Sequence, residues 1–371
     1  MPDDAAARRR HRELLNPRPL VPLLVAGLLL LGGCSSESSG GGGSTTEAAA
    51  AATQARVIAA LADEVIVPGY NHLVESLELL RVAVDDLCAA PSAAALATAR
   101  REWKDADVAF RLTRAGGIGP ASDRRLNAAL GFFAGPEGIE ALLASADPVD
   151  AVSVAAAGGG LRGLSALETA LFANPVETLT TPAGSRRCEY AASVASIAGE
   201  DAAEVLADWT DGYRNHFVRS MDPHAAVGLL VNELSHRLEE LDDQTLRVMS
   251  GAAAIGELPQ HRQDGPASFR MAEQAALLEG IEQIVGSRLG QSRLLDLVGE
   301  RSSAAGEALD EQIQAARVAM ASLPTSVTDA FGTPELSAAA EAVAALAALV
   351  STEVTNQLGV TLTFRDADAA S

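Results

Sequence analysis

Apolar residues recur along this chain at three- and four-residue spacings, and no useful run alternates apolar with polar positions. The first period belongs to helices that bury one face, the second to half-buried strands. Gly and Pro clusters cut the pattern into pieces. The pieces predict helices over 50–89 (bent near Pro68-Gly69), 92–115, 123–131, 136–145, 148–157 and 161–173. After the loop "NPVETLTTPAGSRR" come 187–219, 223–249, 267–299, 302–322 and 334–359. Ser92 after Pro91, Asp222 before Pro223 and Thr333 before Pro334 are the side chains that cap helix N-termini. The longest irregular connection is "SGAAAIGELPQHRQDGP", 250–266. The fold class is therefore all-α. Two packed helix bundles are expected, the first over about 56–249 and the second over about 267–359, with a tail at 360–371.

The N-terminus breaks the pattern. "RRRHRELLNPRPLVPLLVAGLLLLGGCSS" is a basic stretch, an apolar run from Leu20 to Leu31, then small residues and Cys34. That is the layout of a secretory signal, and its apolar run is short of the roughly 20 residues of a bilayer-spanning helix. "LGGC" at 31–34 resembles the lipobox of bacterial lipoproteins. The resemblance implies a signal peptide over 1–33, cleavage before Cys34, and lipidation of that residue. Residues 34–55 then form a Gly/Ser-rich tether between membrane and folded domain. The expected location is outside the cytoplasm, anchored to the cell membrane or envelope.

Hydrophobic residues make up 48% of the 371 and aromatics only 4%. The apolar mass is Ala, Leu and Val, the stock of packed helices more than of sheets. The formal net charge of −21 argues against a nucleic-acid partner, which needs a cationic footprint. Beyond Cys34, two cysteines remain, Cys88 and Cys188. Outside the cytoplasm an even pair reads as a disulfide, here joining a helix end to a helix start. The alternative is two separate buried thiols.

One helix carries a charge on its apolar side. On a wheel of "LRGLSALETALF", 161–172, Leu161, Leu167 and Leu171 lie within about 60° of Leu164. Glu168 falls at about 40°, inside that arc, and Ser165 at about 100°, on its edge beside Phe172. A carboxylate there must be paired, protonated or metal-bound. A structural Glu–Arg pair or a cap on another helix serves as well as a ligand site. The preceding "AAAGGGLRG" is a helix break whose glycines leave backbone open to a ligand.

"GLSALETALF" after a Gly-rich turn resembles the signature helix of the imelysin-like family, which carries a Gly-x-His-x-x-Glu motif. Gly163 and Glu168 match the motif; Ser165 stands where the family has His. "VIVPGYNHL", "FRLTRAGGIGPAS", "LADWTDGY" and "NELSHRLEELDDQTL" resemble, in order, further family segments. The likeness runs over most of 56–285 and weakens beyond. It implies an all-α fold of two related bundles, exported and often lipid-anchored, and Cys88 and Cys188 suit members that carry a pair. Some members are classed as M75 peptidases, others belong to iron-uptake systems, and the motif His and Glu are proposed metal ligands or functional-site residues. A Ser hydroxyl is a poor ligand for the iron or zinc that imidazole binds, so the departure at Ser165 weakens both metal binding and peptidase chemistry here.

Two intact His-x-x-Glu pairs lie elsewhere, His72 with Glu75 and His236 with Glu239. In the first, His72 is at the flank of its helix's apolar arc and Glu75 faces water. The second falls, with Glu240 and Asp243, on what the wheel makes an acidic solvated face or a weak surface cation site. No zincin, nucleophile-elbow or phosphate-loop pattern occurs. The leading expectation is a lipid-anchored binding protein linked by resemblance to iron or metal uptake. Gly163, Ser165 and Glu168 would line its site, and its partners would be the membrane, a metal ion or small ligand, and envelope uptake proteins. The alternatives are a metal-dependent M75-type peptidase and a non-catalytic scaffold with a degenerate site.

Overall fold

Helix is the only regular structure among the described residues, which are 42–132, 135–173, 176–251 and 270–363 of the computed structural model. The expected signal peptide over 1–33, Cys34, the connection from 252 to 269 and the tail from 364 lie outside them. Helix α1 (Gly42–Leu61) passes through a π-turn (Ala62–Ile66) into α2 (Val67–Ala89). Pro68 causes the irregularity: it has no N–H to give the carbonyl of Glu64, and its ring would crowd that oxygen. On α2 the expected arc of Leu73, Leu77, Leu80, Val84 and Leu87 is buried. Helix α3 (Ala93–Thr113) packs along it.

Short helices follow: α4 (Pro120–Asp123), α5 (Leu126–Gly131), α6 (Pro136–Ala144), α7 (Ala151–Ala156), α8 (Leu164–Phe172) and α9 (Val176–Leu179). The single helix expected over 123–131 is two pieces, because Arg125 adopts φ +53° between them. The long α10 (Pro182–Asp208) packs on α2 and α8. It begins five residues before the expected 187, since Thr181 caps it with an oxygen 3.1 Å from the Gly184 N–H and Pro182 occupies the first turn. Helix α11 (Pro223–Leu241) continues through a π-turn into α12 (Arg247–Gly251).

The last part comprises α13 (Arg270–Val285), α14 (Leu294–Arg301), α15 (Ser303–Ala321), α16 (Val327–Ala330), α17 (Pro334–Leu349) and, past a π-turn, α18 (Thr355–Leu358). The continuous helix expected over 267–299 is interrupted at 286–293. Gly286, Gly290 and Ser292 take positive φ there, and the Asp296 carboxylate accepts the N–H groups of Gly290 and Ser292 at 2.6 Å each. Leu289 sustains the apolar pattern through the break yet is 59% exposed. The run 334–358 is long and apolar enough to cross a membrane, but Leu336, Val343, Leu346, Val350 and Val354 are buried and α17 packs on α15 and α11, as a core helix does. Ser92, Asp222 and Thr333 each accept backbone N–H groups at the helix starts they were expected to cap. The described residues from Thr45 onward form one compact unit.

A disulfide joins Cys88, at the end of α2, to Cys188, in α10, with Cα atoms 5.4 Å apart and 100 residues between them in sequence. Closing so long a loop restricts the unfolded chain, and loss of a bridge typically costs about 2–4 kcal/mol. The double variant Cys88→Ser/Cys188→Ser is expected to lose that much in urea unfolding, and reduction of the parent to match it. A parent whose unfolding midpoint is indifferent to reductant contradicts this.

Candidate functional site

The motif helix α8 is fixed at its start by backbone. Gly163 has φ +86°, and a Cβ on it would sit 2.4 Å from the carbonyl oxygen of Ala129 and 2.7 Å from that of Leu130. Only glycine allows α8 to approach α5 so closely. The Ser165 hydroxyl donates to the carbonyl of Gly131 at 3.2 Å. The Trp103 indole N–H donates to the carbonyl of Leu164 at 2.8 Å, and the Arg100 guanidinium to that of Leu171 at 2.8 Å. The Tyr190 hydroxyl reaches Leu161 O at 2.8 Å. Trp103 meets Phe172 edge to face with centroids 5.3 Å apart, and Arg100 lies over the same ring. Leu164, Leu167 and Leu171 are buried as the wheel places them. Glu168 is half-buried among them, with Oε1 closed off from solvent. Gly163 and Ser165 thus hold the helix against its neighbours, and Glu168 is the one ionisable group the motif contains.

The other segments that carry the resemblance meet around Gly116–Pro120. The Tyr70 hydroxyl lies 3.5 Å from the Gly116 carbonyl oxygen. Gly119, at φ +54°, has the Tyr213 ring where a Cβ would go, and Gly117 has Glu233 Oε1 and the Asn127 amide beside it. Tyr213 belongs to an aromatic ladder with Trp209 and Phe217.

Below this segment lies a charge network that inspection of single helices missed. α3 and the turn after it present Asp107, Arg111 and Arg114; α11 presents Glu233, Arg237 and Glu240 at the same spacing. Arg114 grips Glu240 with two hydrogen bonds of 2.6 and 2.8 Å. Arg237 bonds Glu240 at 2.5 Å and approaches Glu233 at 3.0 Å. Arg111 lies 3.3 Å from Asp107 and 3.6 Å from Glu273 on α13. The side chains of Asp107, Glu233 and Arg237 are at most 4% exposed. Burial pushes the Glu240 carboxyl up, but Arg114 and Arg237 outweigh it and hold it at about 2. Glu240 is therefore not part of a solvated face: it faces Arg114 in the interior. Glu239 and Asp243 are exposed and His236 is half-buried; His72 and Glu75 are both exposed. Among the described residues, no three His, Cys, Asp or Glu side chains converge in a way that could hold a metal ion.

No curated protein matches the chain. Among solved structures, it is similar to an imelysin-like protein from Psychrobacter arcticum 273-4, with a TM-score of 0.70 and 17% identity, over 85% of this chain and 98% of that one. It is also similar to a "putative iron-regulated protein A precursor" from Parabacteroides distasonis ATCC 8503, with a TM-score of 0.69 and 19% identity, over 83% of this chain and 95% of that one. These likenesses establish the helical fold. The family model described as Peptidase_M75, Imelysin, matches residues 66–352, from the π-turn before Pro68 to the one after α17. The chain belongs to the imelysin family.

Proposed function

We propose that this chain is an exported binding protein, lipid-anchored through Cys34, whose motif helix offers Glu168 to a small ligand or metal cargo in iron or metal acquisition alongside envelope uptake proteins. The observation that carries the reading is the donor set of the motif. A hydrolytic metal centre takes about three protein ligands, an open position and a base. Here the His position is Ser165, whose hydroxyl is committed to the Gly131 carbonyl. The described residues do not fit a resident catalytic zinc or iron. One carboxylate suits a hard cation that brings most of its own ligands, or a polar organic group. The name of the Parabacteroides distasonis protein supports an iron-related role, and the family description keeps a peptidase as the rival.

Metal content decides between them. Elemental mass spectrometry of the full chain, loaded with iron or zinc, is expected to show weak binding that falls in Glu168→Ala. Ser165→His restores the imidazole next to Glu168 and should raise zinc affinity at least tenfold, or about 1.4 kcal/mol. That gain should vanish when Glu168→Ala is added. A Ser165→His protein that binds zinc no better than its parent removes Glu168 as a ligating position. Metal-dependent cleavage of an unstructured protein by the parent would favour the peptidase.

A further inference from the structure

A cleft of about 710 Å³ opens between α13, α15 and the π-turn that joins α1 to α2, and it shares no residue with the motif helix. Its size lies within the roughly 300–1,000 Å³ that holds small ligands. Val65, Leu278 and Met320 give it an apolar lining. Around that lining the two signs of charge come from different helices.

Glu279 and Glu282 lie one turn apart on α13, and Arg317 comes from α15. A second pair at the 286–293 loop is already satisfied: Arg293 meets Glu64 at 3.1 Å and donates to the Gln291 carbonyl at 2.9 Å. Among the described residues, Arg317 donates to a neutral acceptor, Gln314 Oε1, at 2.8 Å. Among the described residues, no ion pair within 4.0 Å engages Glu279, Glu282 or Arg317. Burial raises the Glu282 carboxyl above its usual range; Arg317 opposes the rise and Glu279 adds to it. The carboxylates gain from a cation and the guanidinium from an anion, with aliphatic surface in the same cleft. A bare metal ion satisfies neither the arginine nor the apolar lining.

We propose that this cleft binds a small zwitterion of the amino-acid or short-peptide class. The ammonium group sits against Glu279 and Glu282, the carboxylate against Arg317, and the aliphatic part over Leu278 and Met320. This goes beyond the role given to Glu168 and stands without it.

Three probes of equal length separate the contributions: 6-aminohexanoate carries both charges, hexylamine only the cation, hexanoate only the anion. Calorimetric titration of the full chain at neutral pH should show 6-aminohexanoate binding at least tenfold more tightly than either other probe. Glu282→Gln and Arg317→Gln should each weaken it at least tenfold without lowering the thermal midpoint. Glu168→Ala should leave it unchanged, so that failure here and failure of the Glu168 reading are told apart. Equal binding of hexylamine and 6-aminohexanoate, binding indifferent to both cleft substitutions, or no binding of the zwitterion overturns the proposal.

Discussion

Arg237→Met should lower the unfolding free energy by about 3–5 kcal/mol, the usual cost of removing one member of a buried ion network. The guanidinium is 3% exposed and contacts both Glu233 and Glu240. Methionine fills much of the volume but leaves two buried carboxylates facing less positive charge. The paired change Arg114→Met/Glu240→Leu removes charges of both signs and should cost less than the sum of its single changes, because charge desolvation is relieved on both sides. Urea unfolding of the parent, the singles and the double measures both statements; strict additivity would show that the bidentate contact contributes nothing of its own. The pH dependence follows from Glu240. Its folded pKa of about 2 lies below the unfolded 4.5, so its stabilisation is present above the unfolded value and is lost as pH falls through the folded one. Glu240→Gln should flatten the loss of stability between those two values. A variant that unfolds in acid along the parent's curve contradicts the assignment.

Gly163→Ala should cost about 3–5 kcal/mol, from a backbone conformation that side chains resist and the forced withdrawal of α8 from α5. The atoms in the way are the carbonyl oxygens of Ala129 and Leu130, which belong to a helix and cannot rotate aside. Gly199→Ala is the control with opposite sign. It sits inside α10 with nothing within 4 Å of an added Cβ, and should stabilise by about 0.5–1 kcal/mol. Two alanines of equal effect would refute the account of Gly163. The motif glycine is thus a packing requirement, and its loss should also displace Glu168.

Much of the fold is legible in local chemistry. The arc from Leu73 to Leu87 and the caps at Ser92, Asp222 and Thr333 depend on neighbours within one or two turns, and the wheel or the cap rule captures them. What escaped depends on distant partners. Arg114 and Glu240 are 126 residues apart, so a charge that looks solvated on one helix is interior once another helix lies against it. A signal existed: both segments carry charges at i, i+4 and i+7, a stripe that two packed helices can share. The break at 286–293 escaped because Leu289 imitates a core position, while Asp296 organises the loop from beyond it. At the motif, the wheel placed Glu168 toward the apolar side, whereas the tasks of Gly163 and Ser165 are set by carbonyls of α5, which no helical wheel includes.

The link between Cys88 and Cys188 makes a covalent ring that encloses α3 through α9 and with them the whole motif. A single backbone cut at the exposed Ala146–Pro148 turn would therefore open the chain without dividing it. Both new ends would stay tethered through sulfur, and the clipped protein would gain only the mass of one water. Its two pieces would part on a gel only after reduction. The ring makes the region around Glu168 tolerant of a nick that would release a fragment from an unlinked chain.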